Sequence, residues 1–95
     1  MHVVIRTYTA TPDVIEEARP KLGHLEQTMR GTPGFVAYYF VQTDDGLATI
    51  TITEDEAGTT ESMNRAATWV RENLVNSTLG APEVTTGHTL ITATR

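Results

Sequence analysis

The sequence predicts an α+β fold whose elements follow the order βαββαβ, a four-stranded antiparallel sheet with two helices on one face. Three observations predict it. Residues 2–9, 35–41, 47–53 and 84–94 are rich in β-branched and aromatic side chains. Between the first and second of these runs, and again between the third and fourth, apolar residues recur at three- and four-residue spacing, the signature of an amphipathic helix. The middle two runs are separated by Asp44-Asp45-Gly46, a hairpin signal.

The first strand, residues 2–9, ends at Thr11-Pro12-Asp13. That triplet reads as a helix N-cap, a first-turn proline and an acidic residue that suits the helix dipole. Val14, Ile15, Ala18, Leu22, Leu25 and Met29 then make one apolar stripe, interrupted by Pro20 and Gly23. Proline lacks a backbone donor and clashes with the carbonyl four residues back, so a kink or break is expected near residues 16–19. The helix stops near Gly31, and Pro33-Gly34 is a turn.

Residues 35–41 run without a polar interruption, whereas residues 47–53 alternate, Ala48, Ile50 and Ile52 against Thr49, Thr51 and Thr53. A three-residue loop, 44–46, sets Thr43 opposite Leu47. It places Val36, Tyr38 and Phe40 with the isoleucines under the helices, and Tyr39 with the threonines on the other face. A two-residue loop inverts that pairing. Glu54-Asp55-Glu56 leads into the second helix, where Met63, Ala66, Ala67, Val70 and Leu74 form the apolar stripe and Glu61 and Arg65 are spaced as an (i, i+4) ion pair. Residues 76–82 read as loop, and residues 84–94 as the last strand with Leu90 and Ile91 at its centre.

Composition narrows the function. A chain of 95 residues, 39% hydrophobic and 20% charged, is read as one globular domain, 1–95. The absence of cysteine excludes disulfides, thiolate nucleophiles, zinc ribbons and iron–sulfur clusters. A net charge of −5 with seven scattered Lys and Arg argues against nucleic acid. With neither a signal peptide nor a membrane-length apolar run, cytoplasm is the expected compartment and no membrane partner is expected. The three histidines, His2, His24 and His88, include no close pair of the kind metals use. No metal, flavin or haem is therefore expected, and no Ser/His/Asp grouping or phosphate-cradling glycine loop assigns a catalytic residue.

Association is legible in the strands. Two helices cover one sheet face, and a solvated second face calls for alternation. Residues 35–41 and Val3-Val4-Ile5 do not alternate, so the helix-free face is expected to be covered by a second copy, with Tyr39, Val41 and Phe35 as candidate interface residues.

Pro33-Gly34-Phe35 before an aromatic strand, Thr51-Ile52-Thr53-Glu54-Asp55-Glu56-Ala57 before the second helix, and Ser62-Met63-Asn64-Arg65-Ala66-Ala67-Thr68-Trp69-Val70 within it carry a resemblance. The chain resembles the dimeric α+β barrel proteins, in which two ferredoxin-like subunits pack sheet to sheet. Within them it is most similar to small proteins related to the antibiotic biosynthesis monooxygenases. The resemblance covers nearly the whole chain through short motifs. It implies a homodimer, and a pocket between helix and sheet that takes a small apolar, aromatic or enolisable compound without a cofactor. The alternative is a dimer that binds a ligand or a protein without turnover.

The interrupted first helix suggests a cavity lined by Trp69, Tyr38, Phe40 and Leu22. Asn64 is a candidate polar group of that pocket, and His88 a candidate proton shuttle on a partly covered strand. The simpler readings are a tryptophan flanking the sheet and a solvated asparagine and histidine.

Overall fold

The computed structural model describes residues 1–77 and 79–95. The elements are β1 (His2–Thr9), α1 (Pro12–Ala18), α2 (Leu22–Arg30), β2 (Phe35–Thr43), β3 (Gly46–Thr53), α3 (Glu56–Asn73) and β4 (Glu83–His88). The strands form one antiparallel sheet in the order β2-β3-β1-β4, the ferredoxin-like βαββαβ arrangement. The expected break in the first helix is a 3₁₀ turn, Arg19–Lys21, centred on Pro20, and it divides α1 from α2. Gly23 lies inside α2 as an ordinary helical residue. No helix among the described residues is long and apolar enough to cross a membrane.

The β2–β3 hairpin departs from expectation. Thr43 pairs with Gly46, so the loop is the two residues Asp44 and Asp45. Tyr38 then pairs with Thr51 and Phe40 with Thr49 on the helix-covered face, while Tyr39 pairs with Ile50 on the open face. The isoleucines expected under the helices are therefore on the open side. Thr51 and Thr53 are 0% exposed and Thr49 is 4% exposed.

Gly46 does not serve the turn through a positive φ, which among the described residues occurs at Gly34 (φ 71) alone. It serves close approach, because a Cβ there would lie 2.0 Å from the Tyr8 carbonyl oxygen.

What makes buried threonines tolerable is the face α3 turns to them. Its buried residues are Gly58, Thr59, Ser62, Ala66 and Trp69, so the helix is rotated from the expected stripe and Ala67 is exposed. Three of the hydroxyls are satisfied locally, whereas the Thr51 hydroxyl has no partner among the described residues. Thr53 Oγ1 donates to the Asp55 carbonyl (2.6 Å), Thr59 Oγ1 to that of Glu56 (3.0 Å) and Ser62 Oγ to that of Thr59 (2.6 Å). Asp55 caps α3 by accepting from the Gly58 N–H at 3.0 Å. Beyond this hydroxyl layer the covered space is apolar: Val14, Ile15, Ala18, Leu25 and Met29 of α1 and α2 pack with Tyr8, Leu47, Trp69 and Leu74.

The last strand ends at His88, well short of residue 94. His88 pairs with His2, and the Thr89 N–H donates to the Met1 carbonyl at 3.1 Å. Leu90 and Ile91 lie beyond the strand and are 93% and 87% exposed. Thr78, within the expected 76–82 loop, lies outside the described residues.

Candidate functional site

Two spaces lie between the helices and the sheet. An open groove of about 460 Å³ runs between α2 and the edge strand β2, walled by Leu22, Leu25, Phe35, Tyr38 and Phe40. Deeper, between the sheet and α3, is a narrow void of about 20 Å³ whose wall includes Arg6, Tyr8, Tyr38, Phe40, Thr49 and Trp69. Leu25, Tyr38 and Phe40 line both, so the two spaces adjoin along these side chains. A water needs roughly 10–15 Å³. The void therefore holds one water-sized group, and the groove can hold a small ring system.

Each wall follows from local sequence. The turn at Pro20 lets α2 take its own direction over β2, and its period brings Leu22 and Leu25 to the sheet. The period of two in β2 sends Tyr38 and Phe40 to the same side. The segment after α3 closes the far end of the void through Leu79. It is tied to the first helix, because the Asn76 N–H donates to Glu17 Oε2 at 3.0 Å and the Lys21 ammonium donates to the Asn73 carbonyl. Hydrogen bonds from Ser77 and Asn76 hold the Glu17 carboxyl below its ordinary value.

Tyr38 and Phe40 line the groove with Leu22 and the void with Trp69, but no one space takes all four, since Leu22 is absent from the void and Trp69 from the groove. Trp69 is 3% exposed, more buried than a residue flanking the sheet. Its indole N–H donates to His24 Nδ1 at 3.0 Å, so the donor points away from the void into a shallow outer hollow. Asn64 is exposed and lines that hollow, outside the pocket. His88 is exposed on the far edge strand opposite His2, also outside it. Of the interface candidates, Tyr39 (54% exposed) and Val41 (43% exposed) stand on the open face. Phe35 pairs with the fully buried Thr53 and packs against the core, so it lies on the covered side.

The residue that sequence reasoning passed over is Arg6. The period of β1 puts Val4, Arg6 and Tyr8 on the covered face, and Arg6 is only 4% exposed. Its Nε–H donates to Thr49 Oγ1 at 3.1 Å across the β1–β3 ladder. The signal was present as the one basic residue in an otherwise uncharged strand. Burial pushes the Tyr38 phenol up to about 12, with the positive charge of Arg6 opposing the shift. Tyr38 is accordingly a neutral hydrogen-bond donor at physiological pH.

No protein-family profile and no curated protein matches the sequence. Solved structures do match the fold. The haem degrader MhuD from Mycobacterium tuberculosis, solved with two haems in its active site, superposes with a TM-score of 0.73 at 12% identity over 99% of this chain and 100% of its own. A Bacteroides thetaiotaomicron protein provisionally named an antibiotic biosynthesis monooxygenase gives 0.69 at 20% identity, covering 99% of this chain and 93% of its own. HapK from Hahella chejuensis gives 0.66 at 14% identity, covering 100% and 98%.

The residues here do not fit haem, since neither space is lined by His, Cys or Met. The likeness at this identity is one of fold: the chain shares the ferredoxin-like architecture of the antibiotic-biosynthesis-monooxygenase-like α+β barrel proteins.

Proposed function

We propose that this chain acts as a homodimer that takes a small planar aromatic or enolisable compound between α2 and β2 for monooxygenase-like oxidation without a cofactor. The observation that carries the reading is the wall of Leu25, Tyr38 and Phe40 shared by groove and void. It offers an apolar seat for a ring beside a buried, neutral phenol that can donate to a developing oxyanion. In such chemistry the substrate supplies the electrons. A CH₂ flanked by carbonyl or aryl groups loses a proton, the resulting carbanion reduces dioxygen, one oxygen atom remains as C=O, and the other leaves in water.

Homodimerisation rests on the open sheet face. Rows Tyr39–Ile50–Ile5 and Ala37–Ile52–Val3 cross three adjacent strands there, an apolar surface without helices over it. A binding-only reading is favoured by one observation: no carboxylate or imidazole lines the void, and the carboxylate on the groove wall, Glu26, is already engaged by Arg30 at 2.8 Å.

Fluorescence tests the site. Some member of a panel of planar aromatic and enolisable compounds should quench Trp69 saturably, and Leu22→Phe, which narrows the groove, should weaken that binding. A broad panel without saturable quenching contradicts the reading. Oxygen uptake with the compounds that bind then separates turnover from binding alone.

A further inference from the structure

Arg6 is a buried cation without a counter-ion. Its Nε–H is occupied by Thr49, but its Nη2 is buried with no hydrogen-bond partner among the described residues. The ion pairs among the described residues are Arg19–Glu16, Arg30–Glu26 and Arg65–Glu61, and none reaches Arg6. Its neighbours in the covered layer are hydroxyls and apolar side chains. Tyr38 cannot neutralise it, because burial keeps that phenol protonated far above neutral pH. A guanidinium does not escape the problem by losing its proton. Buried charges are ordinarily paired, so an unpaired one beside a void marks a place where negative charge arrives from outside.

The sizes of the two spaces say what part of a ligand arrives. The void beside Arg6, about 20 Å³, accepts a terminal oxygen but no carbon skeleton. The groove, about 460 Å³, accepts the skeleton, and the two spaces adjoin along Leu25, Tyr38 and Phe40, which line both. We infer that Arg6 is the anion receptor of this site, and that the ligand is a planar aromatic compound bearing an acidic oxygen, whose oxyanion displaces the contents of the void while its ring lies in the groove. The inference rests on the ligand-binding reading above and narrows it to oxyanions. A water in the void satisfies the Nη2 N–H but leaves the charge uncompensated. An oxyanion does both, and the planar fork of Arg suits it.

Calorimetric titration of the whole chain with 2-naphthoate and its neutral isostere 2-naphthamide, at neutral pH, tests this. The wild type should bind the carboxylate at least about tenfold more tightly. Arg6→Met, which keeps the length and removes the charge, should abolish that preference by weakening the carboxylate far more than the amide. Its melting temperature without ligand should be no lower than the wild type's, since an uncompensated buried charge has been removed. A readout that needs no variant is the Arg6 Nε–H resonance of ¹⁵N-labelled protein, which should move with naphthoate and stay with naphthamide. Equal affinities in the wild type, or a preference that survives Arg6→Met with a lowered melting temperature, overturn the inference and leave the ligand-binding reading standing. If neither compound binds, the inference falls, and the quenching panel decides the ligand-binding reading.

Discussion

Replacing Tyr39 by Asp tests the open sheet face. Tyr39 is 54% exposed and begins the row Tyr39–Ile50–Ile5–Thr85 that crosses the sheet. The face is set by strand geometry. A strand of 8 residues at about 3.3 Å per residue, with four strands about 4.8 Å apart, gives roughly 500 Å² per subunit. Two such faces remove about 1,000 Å² before side-chain relief is counted, near the lower end of the standard range for stable interfaces. An unpaired carboxylate buried at a contact costs roughly 3–5 kcal/mol, and two-fold symmetry buries two. Because β2 is an edge strand and water reaches it, about half of one such penalty per subunit is the reasonable share. The total of about 3–5 kcal/mol weakens dimerisation by more than a hundredfold. The monomer should be unaffected, since the position is open in it. Light scattering and sedimentation across the micromolar range should give a dimer for the wild type and a monomer for Tyr39→Asp, with Thr60→Asp, on the exposed side of α3, as the control that remains dimeric. A wild-type monomer throughout, or an unweakened Tyr39→Asp dimer, refutes the reasoning.

Other outcomes follow from particular contacts. The Tyr38 phenol has an ordinary value of 10.0 and is pushed to about 12 in the fold, so between those limits the unfolded chain releases a proton that the folded chain keeps. Stability conferred below pH 10 is thus lost as pH rises toward 12, by up to about 3 kcal/mol, and urea melts of Tyr38→Phe should lack that share of the fall. His24→Ala removes the acceptor for the Trp69 indole N–H and should cost about 1 kcal/mol with a shifted Trp69 emission maximum. Gly46→Ala drives a Cβ to 2.0 Å from the Tyr8 oxygen and should cost roughly 2–3 kcal/mol, whereas Gly23→Ala, with nothing within 4 Å and a helical setting, should gain about 0.5–1 kcal/mol in the same melts.

Element order and the helix break were legible because each has a local cause. Pro20 removes a helical hydrogen bond wherever it sits, and residues 35–41 announce a strand by composition. Which face of β3 is covered was not local. The alternation of residues 47–53 is unmistakable, but choosing the isoleucine side for the interior assumed that apolar means inward. Thr51 and Thr53 are inside because Thr59 and Ser62 of α3 meet them and because the isoleucines supply the open face. The same assumption set the α3 stripe one position off and counted Ala67 rather than Trp69 as fully buried. Leu90 and Ile91 carry a strand's composition, yet a strand needs a paired neighbour, and the ladder of β4 with β1 ends at His88. Arg6 was hidden for a related reason: the period of β1 places it, but only the register with Thr49 and the void beside it give the placement meaning.

The central claim is that a planar ligand sits against Tyr38 and Phe40 between the broken first helix and the sheet. The most direct measurement is chemical-shift mapping of ¹⁵N- and ¹³C-labelled protein titrated with a compound that quenches Trp69. The account predicts saturable shifts concentrated at Leu22, Leu25, Tyr38 and Phe40. Shifts confined to Ile5, Tyr39, Ile50 and Ile52 on the open face, or spread without saturation, contradict it.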